Sequence, residues 1–479
     1  MDERTRTELI KQTYLEKKDY VSYSLATFSN GAISGMSQAY LFIFYIQVLG
    51  INPIVASTMF LLAKIFDGCN DPFMGIIVDR TRTRWGKLRP YVMFGSVFYG
   101  MIIIILFIPV TGLPMTGRII YMYVTYFSFG IIATLVGVPL GGLSAVVSPN
   151  TQERTKILSL GSISSSIGEQ SSLVLYSVFI IFFALKMSLI ASAIIIGILG
   201  PIFLMISAYN LKERIEPSAD KPGFLDGFKY VVKNKPFLII TISNLLSFFR
   251  NLVSATIIFV VTYIFYKPGL MIFFALPGAI AAMIGMLITP YLKSRFNSKQ
   301  IFIYATIWHS IGLTIVYLIG PTYGWVVTSA LMFFAMLPVG ILNVMPSQMA
   351  ADTLDYWEHK TGERREGVTF SFMGFRSKVS SGFKDFVLGF LITWAGFKEM
   401  TDRGLIPGET DVYLQTHQFE IRLFMIFTII PALTNLVSIV PLYWYKLTGE
   451  RLKIIQEELA LIREAKDLEE YNIGLEDIE

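Results

Sequence analysis

From residue 20 to residue 446 this chain is dominated by apolar runs of about twenty residues or more, the length a helix needs to cross a hydrocarbon core. The runs predict spans near 20–49, 53–79, 89–110, 117–148, 156–184 and 187–209, then near 236–266, 268–292, 300–320, 323–350, 366–397 and 417–446. Gly and Pro fall inside several of them, as membrane helices tolerate. Apolar residues make up 53% of the 479 positions and charged residues only 16%, where a soluble chain carries about a quarter charged residues. The expected fold is an all-α membrane protein with twelve transmembrane helices in two six-helix bundles. It divides into a bundle over 1–209, a linker over 210–235, a bundle over 236–446 and a cytoplasmic tail helix over 447–479.

Basic residues set the expected orientation. With the N-terminus inside, the inner segments collect about 29 Lys and Arg, among them Arg80, Arg82, Arg84, Lys87 and Arg89. The outer segments collect about five: Arg118, Lys186, Lys267, Lys398 and Arg403. Both termini are therefore expected in the cytoplasm, and this bias accounts for the net charge of +5. The first twenty residues lack an apolar core, so no cleavable targeting peptide is expected. Cys69 is the sole cysteine, which excludes an intrachain disulfide. No phosphate loop, nucleophile triad, metal-spaced histidine set or nucleic-acid module is visible. An enzyme is not expected, and neither is a nucleic-acid partner. The run TPYLKSRFNSKQ after the eighth span weakly echoes GIIVDRTRTRWGK after the second, which fits parallel halves of the major facilitator architecture.

An ionisable residue at span centre costs roughly 2.5–3.5 kcal/mol on insertion scales, so each one is a functional candidate. Span two, LLAKIFDGCNDPFMGIIVDR, places Asp67 and Asp71 four residues apart on one helical face. Two such carboxylates repel unless a cation or a shared proton intervenes. Asn70 adds a neutral oxygen, and the set suits a hard cation. The alternative is a fixed ion network with Lys64 and Lys378. Asp79, at the end of that span beside Arg80 and Arg84, reads as a gate or topogenic residue. Arg250 stands mid-span, where a planar guanidinium can receive a carboxylate, sulfonate or phosphate, or can pair with Glu169. Asn30, Ser34 and Gln38 form a polar stripe along span one. In span eleven, Lys378 can either report cation occupancy or be satisfied by Asp385, while Arg376 and Lys384 read as structural.

The run Asp67-Gly-Cys-Asn-Asp71-Pro, continued by GIIVDRTRTRWGKLRPY, resembles the signature of the glycoside–pentoside–hexuronide:cation symporters. So does DTLDYWEHKTGERREGVTFSFMGFRSK, which carries Asp352, Asp355, Arg364 and Lys378. The resemblance covers essentially the whole chain, and the melibiose permease branch of the major facilitator superfamily is the best-known part of that family. It implies a sodium, lithium or proton site made by Asp67, Asn70, Asp71 and Thr134, with Lys378 near it. It also adds Asp352, Asp355 and Arg364 to Asp79, Arg80 and Arg84 as expected gate residues.

The sugar end departs from that branch. Gly31 stands where an acidic residue is found there, Gly137 and Gly141 replace an Asp and a Trp, and Ser162 replaces an arginine. The galactoside grip is therefore missing. The expected substrate contacts are Asn30, Gln38, Ser162, Glu169, Arg250 and Lys378, around a glycoside-type solute for which Arg250 favours an anion. The expected protein is a multi-pass cell-membrane symporter, working as a monomer with no cofactor beyond Na+ or H+. Carriage of a lysolipid or other amphipathic conjugate, or a non-transporting sensor on the same fold, are the alternatives.

Overall fold

The computed structural model describes residues 14–81, 83–148, 151–214, 230–363, 366–397, 415–459 and 461. Among these residues the regular structure is helical, with a single isolated bridge between Thr83 and Gly86. In order, the helices are α1 Lys17–Ile43, α2 Pro53–Arg80, α3 Arg89–Leu106, α4 Met115–Val146, α5 Thr151–Phe182 and α6 Leu185–Asn210. They continue as α7 Lys235–Leu246, α8 Leu252–Tyr263, α9 Met271–Lys293, α10 Ser298–Thr361, α11 Glu366–Ala395, α12 His417–Phe427 and α13 Ile429–Val437, with a short α14 over 450–459. Gly324, at φ +80°, interrupts α10 between the expected ninth and tenth spans. A 3₁₀ turn, Ser247–Asn251, breaks the expected seventh span between α7 and α8.

Among the described residues nine helical stretches are long and apolar enough to cross a membrane. Three further helices of similar length, α1, α2 and α11, fall short on apolarity. These three carry the polar stripe of span one, the carboxylates of span two and the charges of span eleven. The protein is a multi-pass membrane protein whose least apolar helices hold most of its unusual polar groups.

The helices form two compact units. Unit 1 comprises Met1–Ala219, Leu252–Leu276 and Ser381–Phe427, and unit 2 comprises Asp220–Asn251, Pro277–Ser380 and Thr428–Glu479. These units divide the chain inside the linker, between Ala219 and Asp220, and again within the later helices; linker residues 215–229 lie outside the described ones.

Small residues let the helices of unit 1 meet backbone to backbone. A Cβ at Gly31 would lie 2.1 Å from Ser165 O, and one at Gly168 would lie 2.0 Å from Phe28 O. The α1–α5 contact therefore depends on glycine and serine, as small-residue interfaces in membranes do. At the Pro53 end of α2, segments from the second half of the chain join the same unit. Phe42 meets Phe259 edge-on at 5.9 Å, Tyr263 packs on Phe397 and Phe419, and the Tyr263 hydroxyl donates to Gln47. Nearby, the Tyr266 hydroxyl donates to Glu420, and that bond pushes the phenol pKa up to about 12. These rings and hydrogen bonds close that end of unit 1.

Unit 2 repeats the packing principle. A Cβ at Gly340 would lie 1.7 Å from Ala282 O, and one at Gly285 would lie 2.1 Å from Leu337 O, so α9 and α10 also touch through backbone. Helix α14 docks on this unit by burying Ile455 and Leu459 in a cluster with Leu442, Tyr445, Ile301 and Met345. Glu458 pairs with His359 at 2.6 Å, and Gln456 donates to Asp355 at 3.2 Å. The remainder of the expected tail helix lies outside the described residues.

Candidate functional site

Helix α2 runs unbroken from Pro53, which is favoured at a helix start, and Asn52 caps it by accepting from Ile54 N. Its continuity puts Asp67, Asn70 and Asp71 within one turn. Asp67 is buried at 8% exposure, and Lys64 Nζ lies 3.5 Å from its Oδ2. Helix α4 comes close here because Gly130 lacks a side chain: a Cβ there would stand 2.4 Å from Asp67 Oδ1. Thr134, buried, follows Gly130 by four residues and so faces the same side of α4. Asn70 is half-buried and its amide Nδ2 has no protein partner among the described residues. The Asp71 side chain lies outside the described residues, so its place on this face rests on helical spacing alone.

Two buried tyrosines flank the pair. Tyr99 on α3 lies within electrostatic reach of Lys64 and Asp67 and in hydrogen-bond contact with Ser34 of the span-one stripe. Tyr126 on α4 is within reach of both Asp67 and Asp385. Helix α11 runs antiparallel along the first half of α2, since Gly389 faces Ser57 and Gly382 faces Lys64. Lys384 Nζ sits 2.9 Å from Asp385 Oδ1 and within reach of Glu169 on α5. The charges of unit 1 thus form one belt: Glu169, Lys384 and Asp385 on one side, Lys64 and Asp67 on the other. Lys384 is the cation beside Glu169 in this unit, a partner the sequence reading did not assign.

As a cation receptor, this group offers oxygen donors of the right kind. A hard cation takes carboxylate, amide and hydroxyl oxygens, which Asp67, Asn70, Thr134 and, by spacing, Asp71 supply. Lys64 occupies part of that charge, so an incoming ion competes with an ammonium already in place. Among the described residues no three His, Cys, Asp or Glu side chains gather as a metal cluster.

The expected substrate contacts fall in both units. Asn30 and Ser34 are half-buried and Gln38 is exposed on α1. On α5, Ser162 and Glu169 are exposed, and the Ser162 hydroxyl donates to Leu158 O of its own helix at 2.9 Å. Gly31 is a packing residue pressed on Ser165, whereas a Cβ at Gly137 or Gly141 would meet nothing within 4 Å. In unit 2, Arg250 occupies the 3₁₀ turn, is 8% exposed, and donates from Nη2 to Asn343 Oδ1 at 3.4 Å. Lys378 is half-buried on α11 in unit 2, whereas Asp67 and Asp71 belong to unit 1.

Of the expected gate residues, Asp352 is buried and accepts from Ser298 at 3.1 Å, tying the end of α10 to its start, and Asp355 accepts from the tail. Arg84 is exposed and stacks 4.3 Å over the Trp85 ring. Arg364 and the side chains of Asp79 and Arg80 lie outside the described residues. Sequence reasoning missed three anchors beside this loop. Glu213 accepts from the backbone N–H groups of Lys87, Leu88 and Arg89 at 2.8–3.0 Å, capping the start of α3. Glu153 accepts from Tyr14 N, Leu15 N and Ser148 Oγ, and Asp19 pairs with Arg214 at 3.0 Å. An acid directly beside a basic residue, Lys18, Arg154 or Lys212 and Arg214, is their only signal, and solvated linkers share it.

Bundled spanning helices with carboxylates and cations buried at membrane depth define a membrane transporter. The chain matches the MFS/sugar transport protein family over residues 22–449 and belongs to it. It is similar to the inner membrane symporter YicJ of Escherichia coli, at 25% identity over 94% of this chain and 96% of that one. It is also similar to a glucuronide carrier protein homolog of the same organism, at 24% identity over 93% and 96%. Among solved structures, that of a D-xylose–proton symporter superposes with a TM-score of 0.57 at 15% identity, covering 91% of this chain and 98% of that one. This last likeness concerns the fold.

Proposed function

We propose that the chain is a cation-coupled symporter that carries a glycoside-type solute inward by alternating access, with Na+ or H+ as coupling ion. The buried Lys64–Asp67 pair, on the helix that also carries Asn70 and Asp71 and beside Thr134, carries this reading. A carboxylate held at low dielectric against an exchangeable ammonium is poised to trade it for a small cation. Tyr126, within reach of both Asp67 and Asp385, gives that trade a route to the Lys384–Asp385 pair and to Glu169. The ring-sealed end of unit 1 is the closed side of such a cycle. With the basic loops cytoplasmic, that side faces outward and both termini face inward.

The solute would meet Asn30, Gln38, Ser162, Glu169, Arg250 and Lys378, with Asp79, Arg80, Arg84, Asp352, Asp355 and Arg364 timing the inner gate. The unit of action is the monomer, and no covalent chemistry is involved. The kinship with a symporter and with a glucuronide carrier homolog supports a sugar-derived solute. Transport of an amphipathic conjugate such as a lysolipid is the second reading, favoured by the open space at Gly137 and Gly141.

The test is uptake into proteoliposomes with imposed sodium or proton gradients. Asp71→Cys is expected to abolish gradient-driven accumulation while leaving solute exchange measurable. Undiminished cation-stimulated accumulation in that variant overturns the site.

A further inference from the structure

The apolar stretches of unit 2 carry charge of one sign, its acids Asp352, Asp355 and Glu358 standing beyond them at the far end of α10. Its stretches 236–251, 277–292, 300–320, 322–350, 368–380 and 428–444 contain no Asp or Glu, while Arg250, Arg376 and Lys378 lie within them. Arg250 is the most constrained of the three. It is 8% exposed, and its Nε and Nη1 have no hydrogen-bond partner, leaving a neutral amide, Asn343, as its one protein acceptor among the described residues. Arg376 lies close enough to repel it. A buried guanidinium with two orphan N–H groups and a second cation beside it is unstable unless an anion completes it.

The surroundings show how a solute would reach the fork. Asn343 is exposed, so the guanidinium edge that it touches borders an accessible face of α10. His309, within electrostatic range of Arg250, bonds Ala335 O through Nδ1 at 2.8 Å. That bond makes Nδ1 the protonated nitrogen and leaves the buried, unpartnered Nε2 as an acceptor for a hydroxyl.

Resting on the transporter reading above, we infer that Arg250, backed by Arg376 and flanked by Asn343 and His309, is an oxyanion subsite, and that the carried solute bears a carboxylate, sulfonate or phosphate. A two-oxygen anion accepts from Nε and one Nη in parallel, a geometry that a lysine cannot reproduce.

The experiment measures the melting temperature and affinity of the purified full-length protein at constant sodium. The probes are methyl glucuronide, a sulfonated glucose, glucose 6-phosphate and neutral methyl glucoside. At least one anion is expected to stabilise the protein where the neutral glycoside does not, and the responding anion identifies the headgroup. Because Arg250→Gln risks misfolding, the decisive variant is the near-isosteric Asn343→Asp, which supplies a resident carboxylate to the fork. It is expected to melt at or above the parent temperature and to bind the anion at least tenfold more weakly, about 1.4 kcal/mol. Equal response to the neutral glycoside, no response to any anion, or unchanged anion affinity in Asn343→Asp overturns the subsite. Sodium-driven uptake of a neutral glycoside alone would overturn the subsite and leave coupling standing. Anion binding and uptake indifferent to every cation would do the reverse.

Discussion

The two compact units are packed alike and charged oppositely. Each brings a helix pair into backbone contact through glycine, α1 on α5 in unit 1 and α9 on α10 in unit 2. Yet the membrane segments of unit 1 hold Asp67, Asp71, Glu169 and Asp385 against Lys64 and Lys384, whereas the apolar stretches of unit 2, short of Asp352 at the end of α10, hold cations alone. Packing can be shared between regions with different work because it asks only for small residues in register. Buried charge cannot be shared this way, since each sign must be matched by what it receives. The negative excess of unit 1 fits a cation, and the positive excess of unit 2 fits an anion.

The largest expected effect separates the two functions. Asp67→Asn should lower sodium-driven accumulation a hundredfold or more, about 2.7 kcal/mol, while anion binding measured by thermal shift stays within threefold. Loss of both together would mean that the division of labour between units is wrong. Lys64→Gln should act in the opposite sense, because it removes the ammonium that competes for Asp67. Sodium affinity measured by calorimetry should rise about tenfold, near 1.4 kcal/mol, and a fall would make Lys64 part of the receptor rather than its competitor.

The packing half of the comparison predicts symmetry. Gly31→Ala and Gly340→Ala should each cost about 1–3 kcal/mol in thermal melts, because each new methyl meets a carbonyl oxygen. Gly137→Ala, with nothing within 4 Å, should be neutral or stabilising. A large cost in one unit alone would show that the resemblance in packing is superficial. The smallest effect is expected from Glu458→Gln, since the pair with His359 is about half exposed on the glutamate side. Stability should change by no more than about 0.5 kcal/mol, with Ile455 and Leu459 still holding α14.

Length, apolarity and motif spacing made the spanning helices and the α2 carboxylates readable before any coordinates, because both are local properties of the chain. The position of Thr134 came from resemblance, and its physical basis appeared only with Gly130, whose missing side chain brings α4 to within reach of Asp67. Gly31 shows the opposite case. Its substitution looked like a lost sugar ligand, while in three dimensions it is a site with no room for a side chain, a fact set by Ser165 more than a hundred residues away. Glu213 and Glu153 were illegible for a related reason: an acid that caps distant backbone looks in sequence like any solvated acid. The 3₁₀ turn that carries Arg250 left no mark either, since Ser-Phe-Phe-Arg-Asn is unremarkable in helix propensity.

The opposed signs of buried charge have an electrical consequence. If one monovalent cation and one monovalent anion cross together, no net charge moves, and the membrane voltage, worth about 2.3 kcal/mol per charge per 100 mV, does no work on the cycle. Accumulation would then be limited by the ion's concentration ratio alone. A solid-supported membrane would record no sustained current during transport of such a solute, and a clear inward current if the anion were replaced by a neutral glycoside that the protein still accepted.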